Sequence, residues 1–146
     1  MVIIVTGSVG TGKTTFAKKL AKKLKHKYVD VNKLIAKKKL SSGYDKKRKC
    51  RIVDVKKLNR ALIDLIKKEK NLVIDSHLSH YLPKKYVDKC YVTKCSLKDL
   101  EKRLKKRKYS KDKIRENLDA EIFDVCFEEA KKKGHNIKVV WTSKKH

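Results

Sequence analysis

The sequence predicts an α/β protein of three layers, in which helices cover both faces of a five-stranded parallel sheet. Apolar segments of strand length alternate along the chain with segments of helical periodicity, and the first strand runs into a glycine-rich turn followed by a helix. Such alternation is typical of a parallel sheet that is covered on both sides. The 146 residues are enough for a single core, so 1–146 is expected to form one domain.

The elements follow from local signals. Strands are predicted near residues 2–6, 28–31, 71–75, 87–93 and 136–142 from their apolar or β-branched runs. Asp54 and Ser96 are predicted to cap the N-termini of helices. The Ser-, Gly- and Asp-containing stretch Ser41–Asp45 predicts a loop, and the apolar spacing from Ile114 to Cys126 predicts one continuous helix.

The turn after the first strand carries the most specific signal in the chain. Gly7–Thr15, here called the phosphate loop, matches G-x-x-x-x-G-K-[ST]. Its glycines allow successive backbone N–H groups to point at an anion, and the helix that follows adds its N-terminal dipole. Lys13 is predicted to reach the β- and γ-phosphates, and the Thr14 hydroxyl is predicted to ligate Mg²⁺.

Four residues outside the loop are candidates for the same site. Asp75 ends an apolar strand, where a carboxylate can hold the water ligands of Mg²⁺, although such an Asp is also a common turn former. His77 follows two residues later and either orients water or phosphate or is a solvated loop residue. Arg103 and Arg107 lie four positions apart, so they either clamp the transferring phosphoryl group or belong to a solvated basic face.

The charge of the chain is extreme. Lys and Arg number 42 against 16 Asp and Glu, which gives a formal net charge of +26. Two interpretations are open: contact with RNA or another polyanion, or general Lys enrichment of the kind found in hyperthermophiles. No signal peptide and no membrane-spanning run is evident, and the four cysteines have no zinc-type spacing. The protein is therefore expected to be cytoplasmic, with no membrane contact, and to keep its thiols reduced.

Several longer segments resemble the small adenylate kinases of the archaeal and eukaryotic nuclear (CINAP) type. The matching segments are Gly7–Thr15, Gly43–Asp45, Asp75–His77, Arg103–Tyr109 and, most distinctively, Asn117–Ala130. The likeness runs from the N-terminus to about residue 130. No general kinase motif predicts the last of these segments, so it separates this family from other phosphate-loop kinases.

This resemblance implies a sheet order of 2-3-1-4-5 and a nucleoside monophosphate kinase that uses Mg²⁺ and ATP, with AMP as the leading acceptor. It also implies weak ATPase activity and a role in maturation of the small ribosomal subunit through a platform ribosomal protein. The monophosphate-binding region is then about 30–53 and the lid about 106–116. The residues it places on the ATP phosphates are Gly10, Gly12, Lys13, Thr14, Thr15 and Arg107.

The chain departs from the family at two positions that matter for function. An arginine common early in the monophosphate region is replaced by Ala36, followed by Lys37–Lys39, and a second acidic residue after D-x-H is replaced by His80. The fold is expected to be the P-loop NTPase fold, and the protein is expected to be a monomer. An ATP-driven ribosome-assembly factor is the main alternative function, and a kinase of another small metabolite is a third.

Overall fold

The five predicted strands form one parallel sheet in the computed structural model, which describes residues 1–45 and 50–143. Its strands are β1 (Val2–Gly7), β2 (Lys27–Asp30), β5 (Leu72–Asp75), β6 (Lys89–Lys94) and β7 (Ile137–Trp141); β3 and β4 form a separate pair described below. The spatial order is β2-β5-β1-β6-β7, which is 2-3-1-4-5 when only the strands of this sheet are numbered along the chain. The order implied by the resemblance is therefore confirmed.

Helices cover both faces of the sheet, as predicted. They are α1 (Lys13–Leu24), α2 (Val31–Lys38), α3 (Val55–Lys68), α4 (Leu97–Lys106), α5 (Lys111–Ile122) and α6 (Val125–Lys132). Two short 3₁₀ helices, Ser79–Tyr81 and Lys84–Tyr86, lie between β5 and β6. Asp54 and Ser96 cap α3 and α4 by accepting hydrogen bonds from backbone N–H groups three residues on, which confirms both predicted caps.

The core divides into layers because successive residues of β1 point to opposite faces of the sheet. Ile3 and Val5 pack with Ala17 and Ala21 of α1. Ile4 packs instead in the larger cluster that contains α3 and α6. The central strand is buried along its whole length, and its last residues emerge beside the carboxyl ends of β5 and β6. Parallel strands thus bring their C-terminal residues to one edge of the sheet.

Two local predictions are wrong. Ser41–Asp45 is a strand, β3, which pairs antiparallel with β4 (Cys50–Val53), because backbone pairing across the hairpin outweighs the turn propensity of its residues. The predicted continuous helix is broken between α5 and α6, where Asp124 adopts a left-handed conformation (φ 51°) and its carboxylate pairs with the Lys94 ammonium. Residues 46–49 of the predicted monophosphate-binding region lie outside the described residues.

Cys90 and Cys95 are buried among core residues, whereas Cys126 is only half-buried. Across the described parts of the chain, no helix has the length and apolar character that a membrane crossing requires.

The end of α1 offers a test of the fold. Lys25 is exposed, caps the helix and has φ 59°. Replacement by glycine relieves the left-handed strain but increases the entropy of the unfolded chain, so Lys25→Gly is expected to raise the free energy of unfolding by about 0.5–1 kcal/mol. Urea denaturation measures this change. The matched control, Lys22→Gly within α1, is expected to lower it by about 1 kcal/mol; destabilisation by both variants would contradict the assigned helix end.

Candidate functional site

The phosphate loop curls back on itself between β1 and α1. Ser8 is at the centre of this turn, since its carbonyl oxygen accepts a hydrogen bond from the Thr11 hydroxyl at 2.6 Å and another from the Lys13 ammonium at 3.1 Å. Gly10 has φ 89°, and a Cβ added there would lie 3.1 Å from the side chains of Leu100 and Leu104 on α4. A side chain at this position would therefore disturb both the loop and its packing.

Lys13 is the first residue of α1 and the cation of the phosphate loop itself. Its side chain is half-buried, and desolvation lowers the pKa of its ammonium although the negative charge of Asp75 acts in the opposite direction. Arg107 adds a like charge that lowers the pKa further. The first turn of α1 contains no acidic residue, so its N-terminal N–H groups and Lys13 together favour an anion at this point.

Most of the predicted site residues meet at one cavity of about 320 Å³, here called the inner cavity. Its walls come from the phosphate loop, the ends of β2 and β5 and the turn after α4. The predicted site residues that line it are Gly10, Gly12, Lys13, Thr14, Thr15, Asp75, His77 and Arg107. The two predicted magnesium ligands, Thr14 and Asp75, therefore face the same space.

A second cavity of about 500 Å³, here called the outer cavity, also borders the phosphate loop. Phe16, Val140 and Trp141 give it apolar and aromatic walls, and Arg103 and Lys106 add positive charge. Four residues line both cavities: Gly10, Gly12, Thr15 and Arg107. The loop and one guanidinium thus form the boundary between two spaces, one largely polar and one partly aromatic.

The two predicted arginines occupy different environments. Arg107 ends α4 and faces both cavities. Arg103 lines only the outer cavity, and its guanidinium donates to the Gly10 carbonyl at 3.3 Å and to the Thr142 carbonyl at 3.1 Å. The structure therefore does not bring Arg103 to the inner cavity; its contacts brace the phosphate loop against the residue that follows β7.

Sequence reasoning missed the residues of α5 and α6 that contact the phosphate loop. Glu121 of α5 accepts hydrogen bonds from the Ser8 hydroxyl at 3.2 Å and from the Cys95 backbone N–H at 3.1 Å. The Cys126 thiol lies beside Thr6 and Gly7, and burial raises its pKa. Both residues belong to Asn117–Ala130, so the distinctive character of that segment was the available signal, although it did not indicate which side chains reach the loop.

His80 is also a structural residue of this region. Its ring is 1% exposed, and its two nitrogens lie 2.7 Å from the Thr6 hydroxyl and 3.1 Å from a Glu129 carboxylate oxygen. Burial lowers the pKa of His80, while Glu129 opposes that change. The His80 imidazole therefore links the end of β1 to α6.

His77 provides a test of the charge in the inner cavity. Desolvation by the surrounding protein and the positive charges of Lys13 and His80 lower the pKa of its imidazole, which is accessible from the cavity. We expect NMR titration of the free protein to give a midpoint below 6.5. Added tripolyphosphate should raise that midpoint, because a polyanion stabilises the imidazolium. His77→Gln identifies the resonance.

Lys13→Gln is the matched variant for this titration. It removes a positive charge from the cavity, so the pKa of His77 is expected to rise and its response to tripolyphosphate to shrink. A midpoint at or above 6.5 in the free wild-type protein would contradict the described environment.

Comparison of the sequence with known proteins identifies the family of this chain. The family described as "AAA domain" matches residues 3–124. The protein named "Putative adenylate kinase" of Methanocaldococcus jannaschii is 36% identical over 137 residues, which are 94% of this chain and 76% of that protein. The adenylate kinase isoenzyme 6 homolog of Dictyostelium discoideum is 35% identical and covers 88% of this chain and 73% of its own length.

A likeness to solved structures concerns the fold. Shikimate kinase from Acinetobacter baumannii, solved in complex with shikimate, superposes with a TM-score of 0.67 at 16% identity and covers 99% of this chain and 84% of its own. The parallel sheet therefore has the same fold as that kinase. Because these relatives are 35–36% identical over most of both chains, the chain belongs to the family of the adenylate kinase isoenzyme 6 homologs.

Proposed function

We propose that this protein is a nucleoside monophosphate kinase that transfers the γ-phosphoryl group of ATP to AMP or a related monophosphate. One observation carries the proposal: the inner and outer cavities meet at the phosphate loop and Arg107. Two nucleotides bound from opposite sides would have their phosphates in line at this boundary. Phosphoryl transfer depends mainly on such positioning and on charge stabilisation, so it requires no side-chain nucleophile.

The outer cavity suits the donor. Phe16 and Trp141 offer apolar surface to a base, while the glycines of the phosphate loop leave backbone N–H groups for the phosphates. Lys13 would neutralise charge at the β- and γ-phosphates. Arg107 lines both cavities, so its guanidinium would stabilise the charge of the phosphoryl group during transfer from one nucleotide to the other. Arg103 would act on the donor side only, through the loop that it braces.

The inner cavity suits the acceptor and a magnesium ion. Asp30 and Asn32 line its far wall, at the start of the predicted monophosphate-binding region. The Asp75 carboxylate is 8% exposed, and among the described residues no lysine or arginine forms an ion pair with it, so it retains acceptor capacity for a hydrated metal. Thr14 and Asp75 would hold Mg²⁺, which when bound neutralises charge on the phosphate oxygens.

A second candidate is an ATP-driven assembly factor for the small ribosomal subunit, with weak ATPase activity and with monophosphate phosphorylation incidental. Its support is the net charge of +26 together with the exposed lysines of α1 and its C-terminal cap, which are Lys18, Lys19, Lys22, Lys23 and Lys25. Under this proposal the protein is a cytoplasmic monomer that contacts a platform ribosomal protein and RNA. RNA affinity would then fall steeply with salt, and a slope near zero would remove RNA from the partners.

Product analysis tests the proposed kinase directly. With Mg²⁺, ATP and AMP, we expect ADP to form from both nucleotides, and with ATP alone only slow release of phosphate. Lys13→Ala should lose about 3–4 kcal/mol of transition-state stabilisation, or at least 100-fold in turnover, because backbone N–H groups do not replace its charge. Lys22→Ala, on the exposed face of α1, is the matched control and should keep full activity.

Other products would redirect the assignment. ATP hydrolysis that increases with a ribosomal protein, without phosphorylation of any monophosphate, favours the assembly factor. Phosphorylation of a small metabolite in place of a monophosphate favours the third alternative. Near-normal transfer by Lys13→Ala would contradict the role of the phosphate loop.

The replacement of arginine at position 36 generates a further prediction. Ala36 is exposed and lies one helical turn after Asn32, on the side of α2 that leads to the inner cavity. An arginine there would offer a bidentate guanidinium to the monophosphate, which the flexible Lys37–Lys39 do not provide. Ala36→Arg is therefore expected to lower the KM for AMP several-fold with little change in ATP hydrolysis. Ala36→Gln controls for side-chain length, and an equal effect from glutamine would contradict a charge-based explanation.

A further inference from the structure

The Tyr28 hydroxyl contacts both residues that are expected to hold the metal. It donates a hydrogen bond to Oδ2 of Asp75 at 2.7 Å, and the Thr14 hydroxyl interacts with the same phenol oxygen. The residues come from three elements, β2, α1 and β5, that are distant in sequence. Tyr28 also lines the inner cavity, so the contact lies at the site and not behind it.

Packing fixes the position of this hydroxyl. The Tyr28 ring is partly buried against the cluster formed by β1, β5 and α1, and the Lys18 ammonium lies 5.7 Å from its centroid. In parallel register Tyr28 pairs with Val73, two residues before Asp75, so the phenol extends along the sheet to reach the carboxylate. A ring held on several sides presents its hydroxyl in one place, as a supporting residue of a metal site requires.

We propose that Tyr28 is a positioning residue that orients Asp75 for Mg²⁺ through its single hydroxyl. The inference rests on the proposed kinase function, because it assigns the metal to the inner cavity. As a donor to Oδ2, the hydroxyl leaves Oδ1 of Asp75 for a metal-bound water. Thr14 lines the same cavity, so the oriented carboxylate and the threonine hydroxyl face one space.

The phenol remains a donor at any working pH. Burial, together with the hydrogen bond to the Asp75 carboxylate and its negative charge, raises the pKa of Tyr28 above its usual range. The orientation of the carboxylate is therefore expected to be independent of pH across the neutral range. The hydrogen bond to Oδ2 sets the orientation of the Asp75 carboxylate, and the protonated phenol keeps that hydrogen bond in place.

Tyr28→Phe tests the inference, since it keeps the ring and removes the hydroxyl. We expect the Kd of ATP in EDTA to stay within about twofold of wild type, because the phosphate loop is unchanged. The Mg²⁺ concentration that half-saturates binding to the protein–ATP complex should rise about 10-fold, as is typical when a residue supporting a metal ligand is lost. Calorimetry gives the first quantity, and competition against Mn²⁺ followed by electron paramagnetic resonance gives the second.

The chain contains a matched control for this variant. The Tyr81 hydroxyl donates to a Glu129 carboxylate oxygen, also at 2.7 Å, but outside both cavities. Tyr81→Phe therefore removes the same kind of bond without touching the proposed metal site. It should leave the Mg²⁺ and Mn²⁺ titrations unchanged, so that any general effect of losing a tyrosine–carboxylate bond is separated from the specific one.

A double-mutant cycle with Asp75→Asn completes the test. If Tyr28 acts through Asp75, Tyr28→Phe should weaken Mg²⁺ binding much less in the Asp75→Asn background than in wild type. Equal metal titrations for Tyr28→Phe and wild type would overturn the inference while wild-type phosphoryl transfer still supports the proposed function. Absence of Mg²⁺-dependent ATP binding by the wild-type protein would overturn both.

Discussion

The candidate site depends on an ammonium that is partly removed from water beside the phosphate loop. Desolvation lowers the pKa of Lys13, the Asp75 carboxylate opposes that change, and the like charge of Arg107 contributes less than Asp75 does. Lys13, Asp75 and Arg107 all line the inner cavity. A polyanion bound there would bring negative charge to both cations and would favour the charged form of the lysine.

The phosphate loop is also held by hydrogen bonds from residues that do not line the inner cavity. Glu121 holds Ser8 from α5, and Arg103 holds the Gly10 carbonyl from α4. The break between α5 and α6 has a role in this support, because it allows Glu121 and Cys126 to approach the loop from successive helices. The segment Asn117–Ala130 thus has a structural role, because Glu121 and Cys126 contact the start of the phosphate loop.

Sequence predicts those parts of the site whose geometry is local. The phosphate loop is defined by spacing within nine residues, and Asp75 is defined by its place at a strand end. The missed features depend on residues far apart in the chain. The break at Asp124 is accompanied by an ion pair with Lys94, the Tyr28 contact with Asp75 spans 47 positions, and the contact of Arg103 with Gly10 spans 93. Periodicity carries no information about such pairs, and β3 was missed because its partner β4 supplies the pairing.

The proposed kinase function requires two nucleotides to bind on opposite sides of the phosphate loop. Calorimetry with a bisubstrate compound, two adenosines joined by five phosphates, tests it most directly. One molecule per chain should bind, more tightly than ATP or AMP alone, and should prevent both from binding, because linking two ligands raises the effective concentration of the second. Binding no tighter than that of ATP, with AMP still able to bind in its presence, would contradict a shared boundary between the two cavities.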